Sequence, residues 1–169
     1  RVKESPKKIK DKLKAIGVKP INNIVDITNY VLHELGQPLH AFDVDKIKSK
    51  IIRVQKLKSK TKLITLDGIE RELDIEDLVI CDGNKPICLA GVFGGLSTGV
   101  NEYTKEVFIE SAYFEPKTIR KTAKRHGLNT DASFRYERSI DIELVKYALK
   151  RAAILIPVSY THLRAHETQ

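Results

Sequence analysis

Helix-forming patterns occupy both ends of the chain, and strand-forming patterns occupy its middle. Four helices are predicted from caps, prolines and apolar stripes, at residues 6–16, 22–35, 116–126 and 142–156. Six short strands are predicted between the second and third helices, at residues 51–54, 62–66, 69–73, 78–81, 87–90 and 107–111. Because helices and strands do not alternate, this order predicts the α+β class, with mixed or antiparallel sheets flanked by helices at both chain ends.

Local signals define several of the boundaries. Ser5 is the expected N-cap of the first helix, and Gly17 is the expected stop. Asp67-Gly68 is a strong two-residue hairpin signal between two of the predicted strands. Pro157 is expected to end the last helix, because proline cannot continue the helical hydrogen-bond pattern.

Charge is distributed unevenly along the 169 residues, whose formal net charge is +8. Residues 46–62 carry eight basic side chains and no acidic one, whereas residues 67–77 carry six acidic side chains and one arginine. Further basic clusters lie at 1–14 and 117–125. Such clusters permit a nucleic-acid partner, but a solvated surface is an equal alternative. A generic single-strand binding module is disfavoured, because aromatic residues make up only 7% and tryptophan is absent.

Membrane and secreted classes are not indicated. No run approaches the ~18–20 apolar residues that a membrane span needs, and the first residues contain no signal peptide. Cys81 and Cys88 cannot form a disulfide framework and lack the paired spacing of a zinc site. We expect both to be small core residues of a protein in the reducing cytosol.

The chain contains no methionine, even at position 1. We therefore expect an internal piece of a longer protein. The C-terminal residues 157–169, PVSYTHLRAHETQ, show neither a period nor an apolar face. We expect one domain over residues 1–156 and a non-native tail over 157–169.

Three polar groups stand out in apolar surroundings. Asn29 lies in the second predicted helix, and His40 follows on what Pro38 predicts to be a rigid loop. The glycine-rich segment 89–95 allows close approach of the backbone to a ligand or another segment. Glu110 interrupts an apolar strand, and we expect a polar loop at 129–138.

Each group also has a purely structural interpretation. A histidine such as His40 more often makes a hydrogen bond in a turn or core. Glu110 could pair with Arg135 or Arg138, which is as plausible as a functional role. Together with Glu137, these arginines could form an internal ion network that holds the last helix. From these patterns alone, the reaction stays unspecified.

Three segments together resemble a known family: NNIVDITNYVLHELGQPLHAFD, PICLAGVFGG and GLNTDASFRYERSID. They are similar to the tRNA-editing domain of the bacterial phenylalanyl-tRNA synthetase β subunit. The similarity runs from about Ser5 to Ile156, and three motifs in order are more specific than any single one. In that family the domain is internal to a longer chain, in agreement with the missing methionine. Ser139, Phe93 and Cys88 depart from the family pattern, and none is expected to touch the pocket chemistry.

The resemblance implies a single compact editing domain that hydrolyses tyrosine wrongly esterified to phenylalanine tRNA. It implies catalytic roles near the ester for His40, Asn29 and Thr130. It implies substrate-binding roles for Glu110, Gly91 and Ala132. Thr130 would orient water or the substrate amine, and Ala132 would keep the pocket wide enough for the ring.

Simple energetics support such a second site. An apolar synthetic pocket rejects an added hydroxyl only by roughly a hundredfold. Glu110 as a carboxylate would accept a hydrogen bond from the phenol, worth roughly 1.5–3 kcal/mol. Because an aminoacyl ester is already activated, a positioned water would suffice, without a covalent nucleophile.

The resemblance also implies the partners. These are phenylalanine tRNA, tyrosine as the substrate moiety, and a synthetase α subunit in an assembly of two α and two β subunits, with no membrane. No cofactor or metal is expected in this domain, whereas ATP and magnesium are expected for the whole synthetase. Two alternatives stay open: a non-catalytic structural or tRNA-docking module of the same synthetase, and a free-standing aminoacyl-tRNA deacylase.

Overall fold

The computed structural model describes residues 1–161, with side chains described up to Pro157, and shows helices at both ends of a set of antiparallel sheets. The helices are α1 (Lys7–Ala15), α2 (Asn23–Leu35), α3 (Pro116–Arg125), α4 (Asp131–Tyr136) and α5 (Leu144–Thr161). The strands are β1 (Leu39–Asp43), β2 (Ile52–Lys56), β3 (Thr61–Ile64), β4 (Glu70–Leu73), β5 (Leu78–Asp82), β6 (Lys85–Leu89), β7 (Phe93–Gly94) and β8 (Val107–Ser111). The predicted α+β class is confirmed.

The strands form three sheets, and every pairing among them is antiparallel. Their orders are β1-β8, β2-β5-β6-β7 and β3-β4. In the first sheet, His40 of β1 lies directly opposite Glu110 of β8. Directly opposed residues of a ladder place their side chains on the same face, so these two side chains are neighbours.

The β3–β4 hairpin turns at Asp67-Gly68 as predicted, with Gly68 at a φ of +78°. Its turn is bonded to the neighbouring sheet, because the Leu66 N–H donates to the Gly94 carbonyl at 3.0 Å. This hydrogen bond fixes Leu66 beside β7.

Helix α2 has the predicted caps. The Asn22 side chain accepts hydrogen bonds from the N–H groups of Ile24 and Val25, and Gly36 closes the helix in the left-handed conformation. Buried apolar side chains join α2 to α5, and they are Ile27, Val31, Ala148 and Ala152. This packing fixes α2 against α5, and α2 also contacts β1.

Two predicted helix boundaries are wrong. Ser5 does not cap α1, because its hydroxyl donates instead to the buried Asp26 carboxylate at 2.5 Å, and Pro6 takes the capping position. Pro157 does not end α5, which continues to Thr161. Proline lacks one backbone donor, and the helix continues through it without that hydrogen bond. Of the expected tail, residues 162–169 lie outside the described part of the chain.

Three of the helices and strands described above were not expected from the sequence, and one of them is the short strand β7 in the glycine-rich segment. His40 lies in strand β1 and not on a loop, since residues 39–43 gain a ladder partner in β8. The segment 129–138, expected as a loop, contains α4, which starts with a capping box between Thr130 and Ser133.

The main core lies between the sheets, α3 and α4. Its members with almost no exposed surface include Phe42, Leu73, Val79, Ile80, Leu89, Ile119 and Tyr136. Cys81 and Cys88 are free and buried in the same core, which confirms their predicted packing role. Among the described residues, no helix has the length and apolar character that would let it cross a membrane.

Part of the basic segment 46–62 is balanced by its neighbour in the fold. Ion pairs join Lys62 to Glu70 at 2.7 Å and Lys60 to Glu72 at 3.0 Å. Both pairs are largely exposed, so they add little stability. They show that this basic cluster and the acidic cluster after it are two sides of one hairpin.

Candidate functional site

A cavity of about 200 Å³ lies between α2, the β1–β8 sheet, the β6–β7 turn and α4. It is lined by all the residues that the resemblance implies as site residues: Asn29, His40, Gly91, Glu110, Thr130 and Ala132. These positions span a hundred residues of sequence, and the fold brings all of them to one place. Their individual roles stay predictions.

Glu110 is one of the polar residues that line the cavity. Its Oε2 is buried and has no hydrogen-bond partner among the described residues. Burial raises the pKa of this carboxyl group to about 7. A buried acid without a donor is costly, because neither water nor protein replaces its lost solvation. Glu110 is therefore a lining residue of the cavity with one acceptor oxygen that no described donor satisfies.

His40 lies beside Glu110 and is held tightly. Its ring packs edge-on against Phe42, with centroids 4.5 Å apart. A Cβ atom added at Gly94 would lie 2.6 Å from His40 Cε1, so only glycine leaves room for the ring. Burial lowers the pKa of His40 to about 4. The imidazole is therefore neutral at neutral pH and can both donate and accept one hydrogen bond.

Gly91 forms part of the cavity wall with its backbone. Its φ is +65°, and an added Cβ would lie 2.9 Å from the rings of Phe114 and Tyr136. Both the conformation and the crowding therefore require glycine here. Tyr136 in turn donates from its hydroxyl to the Ala112 carbonyl at 3.1 Å, which fixes the ring beside the cavity.

The Thr130 hydroxyl is already committed to hydrogen bonds within the protein. It donates to the Val92 carbonyl at 2.9 Å and accepts from the Ser133 N–H at 3.0 Å. These contacts cap α4 and tie it to the turn that follows Gly91. Because the hydroxyl has a single proton, it has none left to donate to a water or a substrate in this arrangement.

Asn29 and Ala132 face the cavity from its two helical sides. Asn29 lies on α2, and its amide makes no side-chain hydrogen bond within the described residues, so it is available to a ligand. Ala132 lies one residue into α4, where a larger side chain would fill the cavity.

The structural interpretation of Glu110 is wrong. Arg135 pairs with Asp131 at 2.9 Å, and Arg138 pairs with Glu137, so neither arginine reaches Glu110. Nor do these pairs hold the last helix. An ion pair that does reach α5 joins Arg151 to Glu34 of α2, at 2.8 Å.

Several lining residues were missed from the sequence. Cys88 and Phe93 line the cavity, although neither was expected to touch the pocket chemistry. Burial, followed by the charge of Glu110, raises the pKa of the Cys88 thiol well above its usual value, so it is not a reactive thiolate. Asp131 and Tyr136 also line the cavity, and the helical spacing of 132 and 136 would have placed Tyr136 there, had α4 been recognised.

The fold and this cavity agree with a single family. The family model described as the B3/4 domain matches residues 1–158, and the chain belongs to this family. Among curated relatives, it is 59% identical over 156 residues to a phenylalanine–tRNA ligase beta subunit of Porphyromonas gingivalis, covering 92% of this chain and 19% of the relative. It is 56% identical to that of Bacteroides fragilis, with the same two coverages. It is 53% identical to that of Aquifex aeolicus, covering 92% of this chain and 20% of the relative.

These relatives confirm the resemblance that the three sequence motifs predicted. The chain spans about a fifth of the length of the curated relatives it matches. What the longer proteins do as a whole is therefore a matter for proposal.

Proposed function

We propose that this chain is the editing region of a cytoplasmic phenylalanine–tRNA ligase β subunit, and that it hydrolyses tyrosine misacylated onto phenylalanine tRNA. The observation that carries the proposal is that Glu110 lines the cavity and that its buried Oε2 has no partner among the described residues. Tyrosine and phenylalanine differ by one hydroxyl group, and Glu110 offers that hydroxyl an acceptor.

Selectivity follows from the hydrogen bonding of Glu110 with each ring in the cavity. A tyrosine ring that enters the cavity donates its phenol proton to Glu110, and a hydrogen bond to a charged group contributes roughly 1.5–3 kcal/mol. A phenylalanine ring seals the same carboxyl group from water and leaves it unpaired. Sites built to bond a hydroxyl reject the analogue that lacks it far more strongly than apolar pockets reject an added hydroxyl.

The hydrolysis needs only a positioned water. Water attacks the ester carbonyl, the bond from the acyl carbon to the ribose oxygen breaks, and the products are tyrosine and tRNA with a free 3′-terminal ribose hydroxyl. His40 has a pKa of about 4, which makes it a weak base at pH 7. Its proposed part, with Asn29, is to hold the water and the ester by hydrogen bonds.

The remaining predicted residues shape the site. The backbone at Gly91 lies against the substrate, and Ala132 leaves space for the ring. For Thr130 we propose a supporting part, in which its hydroxyl holds α4 against Val92 and so keeps Ala132 in place. No covalent intermediate is proposed, because the one thiol at the cavity, that of Cys88, has a raised pKa.

We assign the other expected partners to the larger assembly. Phenylalanine tRNA delivers the ester, and an α subunit completes an enzyme of two α and two β subunits. Within the described residues, no group of three or more His, Cys, Asp or Glu side chains could hold a metal ion. For ATP and magnesium we propose sites in other parts of the synthetase.

The test uses the complete synthetase with changes in this region. We expect His40→Ala and Glu110→Ala to slow deacylation of tyrosyl-tRNA, measured with purified misacylated tRNA. Glu106→Ala is the matched control, since Glu106 is an exposed acid just before β8. If both pocket variants hydrolyse at the parent rate, the assignment is wrong.

A second variant tests the size of the cavity. Ala132→Trp should fill the cavity and abolish deacylation, while the synthetase still charges tRNA with phenylalanine. A docking module would show no deacylation even in the parent enzyme. A free-standing deacylase would act in full as the 169-residue chain alone.

A further inference from the structure

The substrate of the proposed reaction enters the cavity in one orientation. A cavity of about 200 Å³ cannot admit nucleotides, so the ring must enter first. The ester and the α-amino group of the amino acid then stay at the rim. Around and below neutral pH that amino group is protonated, and a cation at a rim needs an acceptor there.

Asp131 is a carboxylate at this rim. It lines the cavity as the first residue of α4, and its side chain is 60% exposed, in contrast to the buried oxygen of Glu110. Among the described lining residues, these two are the only carboxylates. The buried one is the proposed partner of the phenol, and the exposed one lies where the amine would remain.

The Asp131 carboxylate is held in place with one oxygen unused. Its Oδ1 accepts from Arg135 Nη1 at 2.9 Å. Arg135 is anchored in turn by a bond to the Asp131 carbonyl at 2.7 Å and by one to His33 Nδ1 on α2 at 3.2 Å. Oδ2 has no hydrogen bond within the described residues, so a preorganised acceptor faces the solvent at the mouth.

The neighbouring Thr130 does not supply an alternative of equal strength. Its hydroxyl oxygen already accepts the Ser133 N–H and donates to Val92. We propose that Asp131 binds the α-ammonium group of the aminoacyl ester and makes the site selective for esters with a free amino group. This assignment rests on the proposed editing function and adds a specificity residue to it.

If Asp131 had only a structural role, the expected effect of its substitution would differ from that of direct amine binding. An acidic residue in the first turn of a helix interacts favourably with the helix dipole, and Asp131 also pairs with Arg135. Loss of these contacts would loosen α4 and slow the hydrolysis of every substrate equally. Only a direct contact with the amine would distinguish a free amine from a blocked one.

The experiment compares tyrosyl-tRNA with N-acetyl-tyrosyl-tRNA in the complete synthetase at pH 7. We expect the parent enzyme to deacylate the free-amine ester with the higher kcat/KM. Asp131→Asn should lower kcat/KM for that ester about tenfold, as for the loss of one charge-assisted contact. It should leave the rate for the N-acetyl ester unchanged, so that the preference disappears.

Two further variants test whether the effect depends on the charge at residue 131. Asp131→Glu retains the charge and should retain most of the preference. Glu137→Gln is the matched control, because Glu137 pairs with Arg138 as Asp131 pairs with Arg135, but it does not line the cavity. This control should keep both rates.

The assignment is overturned if Asp131→Asn slows both esters by the same factor, if it slows neither, or if the parent enzyme shows no preference. Failure of the proposed function gives a different result. In that case the parent enzyme deacylates neither ester, and the assignment of Asp131 fails with it.

Discussion

Two buried carboxyl groups in this molecule have opposite surroundings. Asp77, in the turn before β5, has no exposed surface and is surrounded by donors. It accepts hydrogen bonds from the Asp74 N–H at 2.9 Å, from Thr122 Oγ1 at 3.1 Å, from Arg125, and from His126 Nε2 at 2.6 Å. The carboxyl group joins the β4–β5 turn to the C-terminal end of α3.

Glu110 is buried without any such donor for its Oε2 among the described residues. The difference is visible in the direction of the two pKa shifts. Burial raises the pKa of Asp77, but the bonds from His126, the Asp74 N–H and Thr122 and the charge of His126 together hold it below its usual value. Burial acts alone on Glu110 and raises its pKa to about 7.

The comparison separates a structural acid from a binding acid. The protein satisfies Asp77 completely, so Asp77 stabilises the fold and has nothing to offer a ligand. It leaves Glu110 unsatisfied in a cavity, at a cost in stability, and a ligand can complete its bonding. Such a local conflict with the rules of stable folding is expected at functional sites.

The largest effect on the free energy of unfolding should follow from removing the Asp77 carboxylate, whose hydrogen bonds are all satisfied. Asp77→Ala removes one partner of a buried charged network and should lower the free energy of unfolding by about 3–5 kcal/mol. Urea unfolding of the 169-residue chain measures this loss. A loss below about 1 kcal/mol, which is usual for surface changes, would show that the Asp77 network adds no stability.

Removal of the Glu110 carboxylate should have the opposite effect and raise the free energy of unfolding. The folded pKa of Glu110, about 7, lies above its ordinary value of 4.5. Its burial therefore costs little stability below pH 4.5, and the cost grows as the pH rises through 7. Glu110→Gln should raise the free energy of unfolding by about 2–3 kcal/mol at pH 8 and change it little at pH 4.5. The same urea titration at the two pH values checks this; an equal effect at both would contradict the raised pKa.

The same titration should appear in the proposed reaction. The carboxylate form of Glu110 accepts the phenol proton, and with a pKa of about 7 its fraction rises about tenfold between pH 6 and pH 8. Enzymatic deacylation of tyrosyl-tRNA should therefore rise with pH in the parent enzyme. Glu110→Gln lacks this group and serves as the control for spontaneous ester hydrolysis. His40 does not titrate in this range, since its pKa is about 4. A parallel pH profile for the two enzymes would exclude Glu110 as the titrating group.

The smallest effect should come from removing one donor of several. Thr122→Val keeps the shape of the side chain and removes its bond to Asp77, and a single hydrogen bond contributes about 1 kcal/mol. The free energy of unfolding should fall by that amount. Deacylation in the complete synthetase should stay at the parent rate, because Thr122 does not line the cavity. A lower rate would link the Asp77 network to the site.

The sequence predicted best the elements that depend on nearby residues. Helix α2 has its caps, Asn22 and Gly36, within its own segment, and the hairpin at Asp67-Gly68 needs only its two turn residues. Strand β1 depends instead on β8, which lies far along the chain, and was therefore missed. The continuation of α5 past Pro157 was missed as well, since proline by itself predicts the end of a helix.

For the site, too, the sequence predicted some features, whereas others depended on contacts between distant residues. The family motifs gave all six lining residues that were predicted, but the residues alone left the pairing of Glu110 with Arg135 or Arg138 open. Only the three-dimensional arrangement shows that Arg135 pairs with Asp131 within α4 and that Arg138 pairs with Glu137 just after it. It also shows that the Thr130 hydroxyl already donates its proton to the Val92 carbonyl and that Asp131 lines the cavity.

The most direct test is a crystal structure of the synthetase with a non-hydrolysable tyrosyl-adenosine analogue in which an amide replaces the ester. We expect the phenol oxygen within hydrogen-bond distance of Glu110 Oε2 and the α-amine at Asp131. A ring bound outside this cavity, or a Glu110 carboxyl group that keeps its distance from the phenol, would contradict the central claim that Glu110 recognises the tyrosine hydroxyl.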